Sequence, residues 1–215
     1  MGILEHTGWE KLLELMEAEA RQKNAPVYEF RKHVSTPFRA LVAVLLSSRT
    51  RDETTLEAVK RLFRRADTPE AMLALSEQEI AGLIYPVGFY RSKAKRLREL
   101  ARVLLKEHGG RVPESLEELL RLPGIGRKSA NVVLSSAFGK NAIAVDTHVH
   151  RLSNRLGLVS TSSPAETEKQ LHRLVPEELK SRLNTTFVAF GQTVCKPVKP
   201  SCGSCPLAEH CPGAR

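Results

Sequence analysis

All four cysteines of this 215-residue chain lie in its last 21 residues, at Cys195, Cys202, Cys205 and Cys211. The 194 residues before them contain none. Their spacing, C-x6-C-x2-C-x5-C, defines one compact site with sulfur ligands, not thiols dispersed through a core. Such a segment can close around a metal ion or an iron–sulfur cluster. Disulfides are the alternative for a secreted chain. Residues 1–20, however, hold five glutamates and one lysine, unlike the basic and apolar start of a signal peptide. The expectation is a reducing cytoplasmic setting, where thiols stay free. Structural zinc usually takes two close pairs across a longer spacer, and only Cys202 and Cys205 form a close pair here. The bacterial ferredoxin run C-x2-C-x2-C-x3-C-P is a different pattern. Spacing alone favours a cluster and leaves zinc open.

The length suits one or two small domains with a real core. The longest apolar run, Ala40 to Leu46, is far too short to cross a bilayer, so no membrane partner is expected. The start, MGILEH, lacks the Ser or Thr of a myristoylation signal. Net charge is +9; residues 1–20 carry −4, so the remainder carries +13. A body this basic attracts a polyanion, nucleic acid foremost.

The chain reads as helix after helix. Thr7 with Glu10, Ser76 with Glu79, Ser115 with Glu118 and Ser163 with Glu166 have capping-box spacing. Thr36-Pro37, Thr68-Pro69 and Ser163-Pro164 place a cap residue before a first-turn proline. Gly109 and Gly157 follow helical patterns as stops. Ala142 to Val145 is the one segment that reads as briefly extended. Ala40–Leu46 is apolar all round, which predicts a central, buried helix. Between Arg91 and Lys106 the pattern divides. Arg91, Lys95, Arg98 and Arg102 share a basic face, and Leu97, Leu100, Ala101 and Leu104 share an apolar one.

The string Leu122-Pro123-Gly124-Ile125-Gly126-Arg127-Lys128 sits between a helix that starts at Ser115 and one that runs to about Phe138. Its glycines permit backbone angles other residues resist and allow a partner to approach closely. A G-x-G turn opening a helix presents N–H groups to a phosphate. This is the helix-hairpin-helix pattern. Lys128 falls in the first turn of the second helix, where the helix dipole disfavours a cation, and such a placement points to function. A neutral amine there could attack carbon; a phosphate-binding surface lysine is the alternative. Asp146, in the string V-D-T-H, precedes another helix as a natural N-cap.

The chain resembles the endonuclease III family of the helix-hairpin-helix DNA glycosylase superfamily. The resemblance rests on LLSSRTRD (45–52), VGFYRSKA (87–94), LPGIGRKSANVVL (122–134), AVDTHVHRLSNRLGL (144–158) and the cysteine loop, in the family's order. It implies an all-α fold of two helical domains with a DNA cleft between them. Residues 31–141 would form a six-helix barrel domain containing the helix-hairpin-helix at about 116–138. Residues 1–30 and 142–215 would form an iron–sulfur cluster domain with its cluster loop at 195–211. The implied cofactor is a 4Fe–4S cluster on Cys195, Cys202, Cys205 and Cys211.

The resemblance also implies catalytic roles. Lys128 would attack C1′ of the damaged nucleotide and form a Schiff base. Asp146 would stabilise the sugar cation and assist the lysine. The expected activity is bifunctional: excision of oxidised pyrimidines such as thymine glycol from duplex DNA, then lyase nicking 3′ to the site by β-elimination. The partner would be double-stranded DNA with damaged bases or abasic sites, bound by a monomer, nucleoid-associated in a prokaryote. Expected DNA contacts are Arg49, Phe89, Leu122, Gly124, Ile125, Gly126, Arg127, Lys196 and Lys199. Arg49 stands where the family usually has a gap-filling glutamine, and Phe89 where a second wedge is often leucine. Ser47, Asp52 and His148 match positions around the pocket mouth. The competing readings are a glycosylase of the same superfamily for a pyrimidine dimer or oxidised guanine, and a non-enzymatic DNA-binding or redox protein.

Overall fold

In the computed structural model, residues 3–214 are described, and the regular structure among them is helical. The α-helices are α1 (Ile3–Gln22), α2 (Pro26–Lys32), α3 (Pro37–Ser47), α4 (Asp52–Phe63), α5 (Pro69–Ala74), α6 (Glu77–Ile84), α7 (Tyr90–His108), α8 (Leu116–Arg121), α9 (Arg127–Phe138), α10 (Thr147–Arg155), α11 (Pro164–Leu174) and α12 (Lys180–Thr193). The chain divides into two compact units. One is the continuous stretch Phe30–Gly139, and the other joins Met1–Glu29 to Lys140–Arg215.

The continuous unit is organised around α3. Thr36 caps its start, accepting from the Arg39 N–H at 3.2 Å with Pro37 in the first turn. Leu41, Val42 and Leu46 are fully buried, because α9, α4 and α7 pack around the helix. The two faces of α7 separate as the sequence pattern predicts. Leu97, Leu100, Ala101 and Leu104 are fully buried, while α5 and α6 pack along the helix. Its basic face is partly used by the protein itself. Arg98 Nε donates to the Leu75 carbonyl at 3.0 Å, and Arg102 pairs with Glu99 at 3.9 Å. Gly109 ends α7 in the left-handed region at φ 57°.

In the second unit α1 packs on α12, and α12 on α10. Leu12, Leu13 and Met16 of α1 share one apolar core with Leu183, Phe187 and Phe190 of α12. Polar contacts fix the register of the pair. Glu17 Oε1 accepts from Thr186 Oγ1 at 2.7 Å and Arg182 Nε at 3.4 Å, and Arg182 Nη1 donates to Glu10 at 2.9 Å.

One local expectation is corrected. Thr7 is not a cap. Its hydroxyl donates to the Ile3 carbonyl at 2.9 Å, one turn back in the same helix, and the break in α1 falls at Gly8, whose φ is 66°. Glu10 is engaged by Arg182 instead. Residues 142–145 lie outside the helices; Ile143, Ala144 and Val145 are buried, and Asn184 Nδ2 donates to the Ala144 carbonyl at 2.8 Å.

Ser76, by contrast, forms a complete capping box with Glu79. Ser76→Ala should therefore lower unfolding free energy by about 1 kcal/mol. Thr7→Ala should stay within about 0.5 kcal/mol of wild type. Urea denaturation of the two variants checks the contrast.

Candidate active site and metal centre

The hairpin is built as the sequence suggests. Leu122 closes α8, and its carbonyl accepts from the Ile125 N–H at 3.2 Å. Gly124 has φ 78°, a conformation that calls for glycine, and a Cβ there would lie 3.3 Å from Arg96 Cδ. Gly126 opens α9 with no side-chain cap. A helix start without a side-chain cap is the kind of arrangement that binds anions. Arg127 and Lys128 are exposed in this first turn. Leu122 and Ile125 are buried, so what they offer a partner is backbone, not side chain.

A second surface in the same unit joins the turn after α3 to the turn before α7. Arg49 and Phe89 both have left-handed backbones, at φ 52° and 58°. Few non-glycine residues adopt that conformation, and it tends to mark functional sites. The Arg49 guanidinium lies 5.7 Å from the centroid of the Phe89 ring, and Phe89 is 64% exposed. A Cβ on Gly88 would come within 2.6 Å of the Arg49 carbonyl oxygen, so the two turns meet in a way only glycine permits. Thr50 Oγ1 accepts from the Gly88 N–H at 3.2 Å. Lys93, only 5% exposed, donates to the Leu46 carbonyl at 2.8 Å, to the Ser48 carbonyl, and to Thr50 Oγ1 at 3.1 Å. Burial, helped by the charge of Arg96, lowers the Lys93 pKa to about 8. Close by, Ser47 Oγ donates to the Val44 carbonyl at 3.0 Å, and Asp52 sits in the first turn of α4.

Asp146 is the N-cap of α10, its Oδ1 accepting from the Val149 N–H at 2.9 Å. In the first turn of that helix, His148 Nδ1 lies 3.2 Å from Arg151 Nη2. Lys128 and Asp146 belong to different units.

The cysteine segment has little regular structure, only two three-residue 3-10 turns at Cys202–Ser204 and Ala208–His210. Two arginines of α10 hold its start. Arg151 Nη2 donates to the Cys195 carbonyl at 2.9 Å and the Gly191 carbonyl at 3.2 Å. Arg155 donates to the Lys196 carbonyl at 2.7 Å, the Pro197 carbonyl at 2.8 Å and Cys195 Sγ at 3.6 Å. Lys196, Val198 and Lys199 are exposed beyond them, with Lys199 at φ 52°. The rings of His6 and His210 stack at 4.2 Å and link α1 to the end of the segment.

All four cysteines line one cavity, walled otherwise by mainly apolar groups that include Leu156, Phe190, Val194, Pro200 and Ala208. Burial pushes the Cys205 and Cys211 thiols up, against N–H donors from Leu207 and Gly213. A pocket of this kind holds thiolates when a cation neutralises them. Four half-buried sulfurs around one cavity are a donor set that fits an iron–sulfur cluster.

The sequence reading gave no roles to Lys93, Thr50, Arg151 or Arg155. The two arginines are four apart on one helix and could have been read as a shared face. Lys93 lies inside the quoted VGFYRSKA string, but nothing local marks it as buried.

Residues 42–177 match the HhH-GPD superfamily base excision DNA repair protein family. Residues 195–211 match the iron–sulfur binding domain of endonuclease III. The chain is 51% identical to endonuclease III of Thermotoga maritima, over 84% of this chain and 85% of that protein. It is 37% identical to endonuclease III-like protein 1 of Bos taurus, over 96% of this chain and 72% of that one. A solved structure of a trapped endonuclease III–DNA covalent intermediate superposes with TM-score 0.78 at 38% identity, covering 90% of this chain and 96% of that one. The chain thus carries a 4Fe–4S binding region, and the matched residues 195–211 contain all four of its cysteines.

Two outcomes follow. Arg155→Met should leave the fold intact but speed iron loss to a chelator several-fold, whereas Arg102→Met should not; visible absorbance reports the loss. Folded Lys93 releases its proton near pH 8, while the unfolded chain keeps it to about 10.4. The unfolded state then binds more protons, so between those values Lys93 makes stability rise with pH. That component of the slope should vanish in Lys93→Met, as read by denaturation at pH 7.5 to 10.

Proposed function

We propose, for a chain that belongs to the endonuclease III family of HhH-GPD superfamily base excision DNA repair proteins, a bifunctional reaction on oxidised pyrimidines. The protein is an endonuclease III-like base excision repair glycosylase. In our reading it takes lesions such as thymine glycol from duplex DNA and then nicks the strand. The observation that carries this is the exposed amine of Lys128 at the start of α9, beside N–H groups that no side chain caps. Phosphate held on those N–H groups would bring a sugar within reach of the amine.

The reaction begins with extrusion of the damaged nucleotide, which costs a few kcal/mol of stacking. Arg49 and Phe89 fill the gap. The guanidinium offers hydrogen bonds to the orphaned base, and the exposed ring stacks on a neighbour. Asp146 stabilises positive charge on the sugar as the base departs. The Lys128 amine attacks C1′ as the glycosidic bond to the base breaks, the base leaving with one amine proton; the second passes to the ring oxygen as its bond to C1′ opens, leaving a Schiff base. Removal of a C2′ proton then expels the 3′ phosphate by β-elimination. Lys196 and Lys199 contribute phosphate contacts, which add salt-dependent affinity without sequence choice. Cys195, Cys202, Cys205 and Cys211 would hold the 4Fe–4S cluster, which would organise the loop that carries these lysines.

The test uses two labelled duplexes, one with thymine glycol and one with an abasic site, with and without borohydride. Wild type should nick both and form a covalent adduct. Lys128→Gln should form none, and Asp146→Asn should slow excision by roughly 100-fold or more while the helix cap persists. Nicking of the abasic duplex alone would keep the lysine chemistry and move the lesion to another base. No adduct on either duplex would end the lyase assignment.

A further inference from the structure

We propose that Lys93 is a positioning residue that holds the turns bearing Arg49 and Phe89 in one fixed relation. The proposal rests on the reading above that these two side chains enter the duplex. Lys93 carries a charge yet is almost fully buried, and its ammonium has three protein acceptors, the Leu46 and Ser48 carbonyls and Thr50 Oγ1. An ammonium has three donors, so none remains for a phosphate. Despite its place on the most basic helix, Lys93 is therefore not a DNA contact.

The acceptors it chooses belong to the last turn of α3 and the turn beyond. Carbonyls there lack intrahelical partners and favour a cation. Arg49 follows directly, in a left-handed conformation that persists only where the surroundings over-determine it. Thr50 Oγ1 accepts from both Lys93 and the Gly88 N–H, so one hydroxyl joins the Arg49 turn to the residue before Phe89. Thr50 Oγ1 in turn donates to the Ser48 carbonyl at 3.3 Å. Both strained residues are flanked by bonds of this network. Without the ammonium, the Leu46 carbonyl loses this donor, the Ser48 carbonyl keeps only the Thr50 hydroxyl, and the Arg49 turn is free to relax. The wedge side chains would then have to be ordered when DNA binds, and not before.

The experiment compares Lys93→Met, which keeps the apolar stem, with wild type, each with and without Arg49→Ala, all carrying intact cluster. Hydrogen exchange at the Gly88 amide reads the tie between the turns without DNA. Single-turnover excision on duplex reads its effect, and borohydride trapping on a single-stranded abasic oligonucleotide reads chemistry where no gap must be filled. Lys93→Met should weaken Gly88 protection at least tenfold, slow duplex excision about tenfold and leave single-strand trapping unchanged. Arg49→Ala should then cost much less in the Lys93→Met background than in wild type. Thr50→Val, which removes the shared acceptor without touching charge, should repeat the pattern and serves if Lys93→Met does not fold. Unchanged Gly88 protection, or losses that simply multiply, would overturn the proposal. An Arg49→Ala with no effect of its own would remove the premise of duplex entry, while Gly88 exchange decides the tie independently.

Discussion

A helix without a polar face persists in water only if neighbours cover it on every side. α3 is such a helix, and burying each of its Leu and Val side chains contributes roughly 1.5–3 kcal/mol. The cover comes from α4, α7 and α9. Three of the groups assigned to DNA chemistry are consequences of that arrangement. Arg49 lies in the turn that leaves α3, Phe89 in the turn that enters α7, and Lys128 in the first turn of α9. Each sits at the end of an element that the core has already placed, so their backbones inherit its rigidity. Lys93 extends the same logic from apolar to polar contacts, from α7 back to the carbonyls at the end of α3.

The cysteine segment meets the opposite problem. With almost no helix of its own, it must satisfy its backbone elsewhere. Arg151 and Arg155 of α10 do so from one side, and the cluster ligands gather the rest. This alters how the basic charge should be counted. Arg98, Arg151, Arg155 and Lys93 spend donors on protein carbonyls, and Arg39 and Arg182 on carboxylates. Only part of the positive charge outside residues 1–20 is therefore available to a polyanion, and Lys196 and Lys199 belong to that part.

What could be read from the sequence was whatever is local. Thr36, Thr68 and Ser76 cap the helices they precede, because a cap and its partner are three residues apart. The apolar stripe of α7 and the four-cysteine site are likewise short-range patterns. Thr7 had the same spacing to Glu10, yet Gly8 between them takes a non-helical conformation. Lys93 was illegible for a different reason. A lysine on a basic helix reads as solvated, and its acceptors are 43 to 47 residues away in sequence. The acceptors of Arg151 and Arg155 lie 40 to 44 residues away. Leu122 and Ile125 show the limit of motif reading as well, since the motif names the residues without saying that backbone alone faces outward.

The unit that holds the cluster loop is assembled from two separated stretches of chain. α1 is synthesised early, but α12, which covers its Leu12, Leu13 and Met16, begins about 160 residues later. At ordinary rates of synthesis that interval is roughly 10–30 s. During it, the continuous unit can fold while α1 waits with an apolar face and no partner. The cysteines follow directly after α12, so iron meets a chain whose continuous unit has already been synthesised.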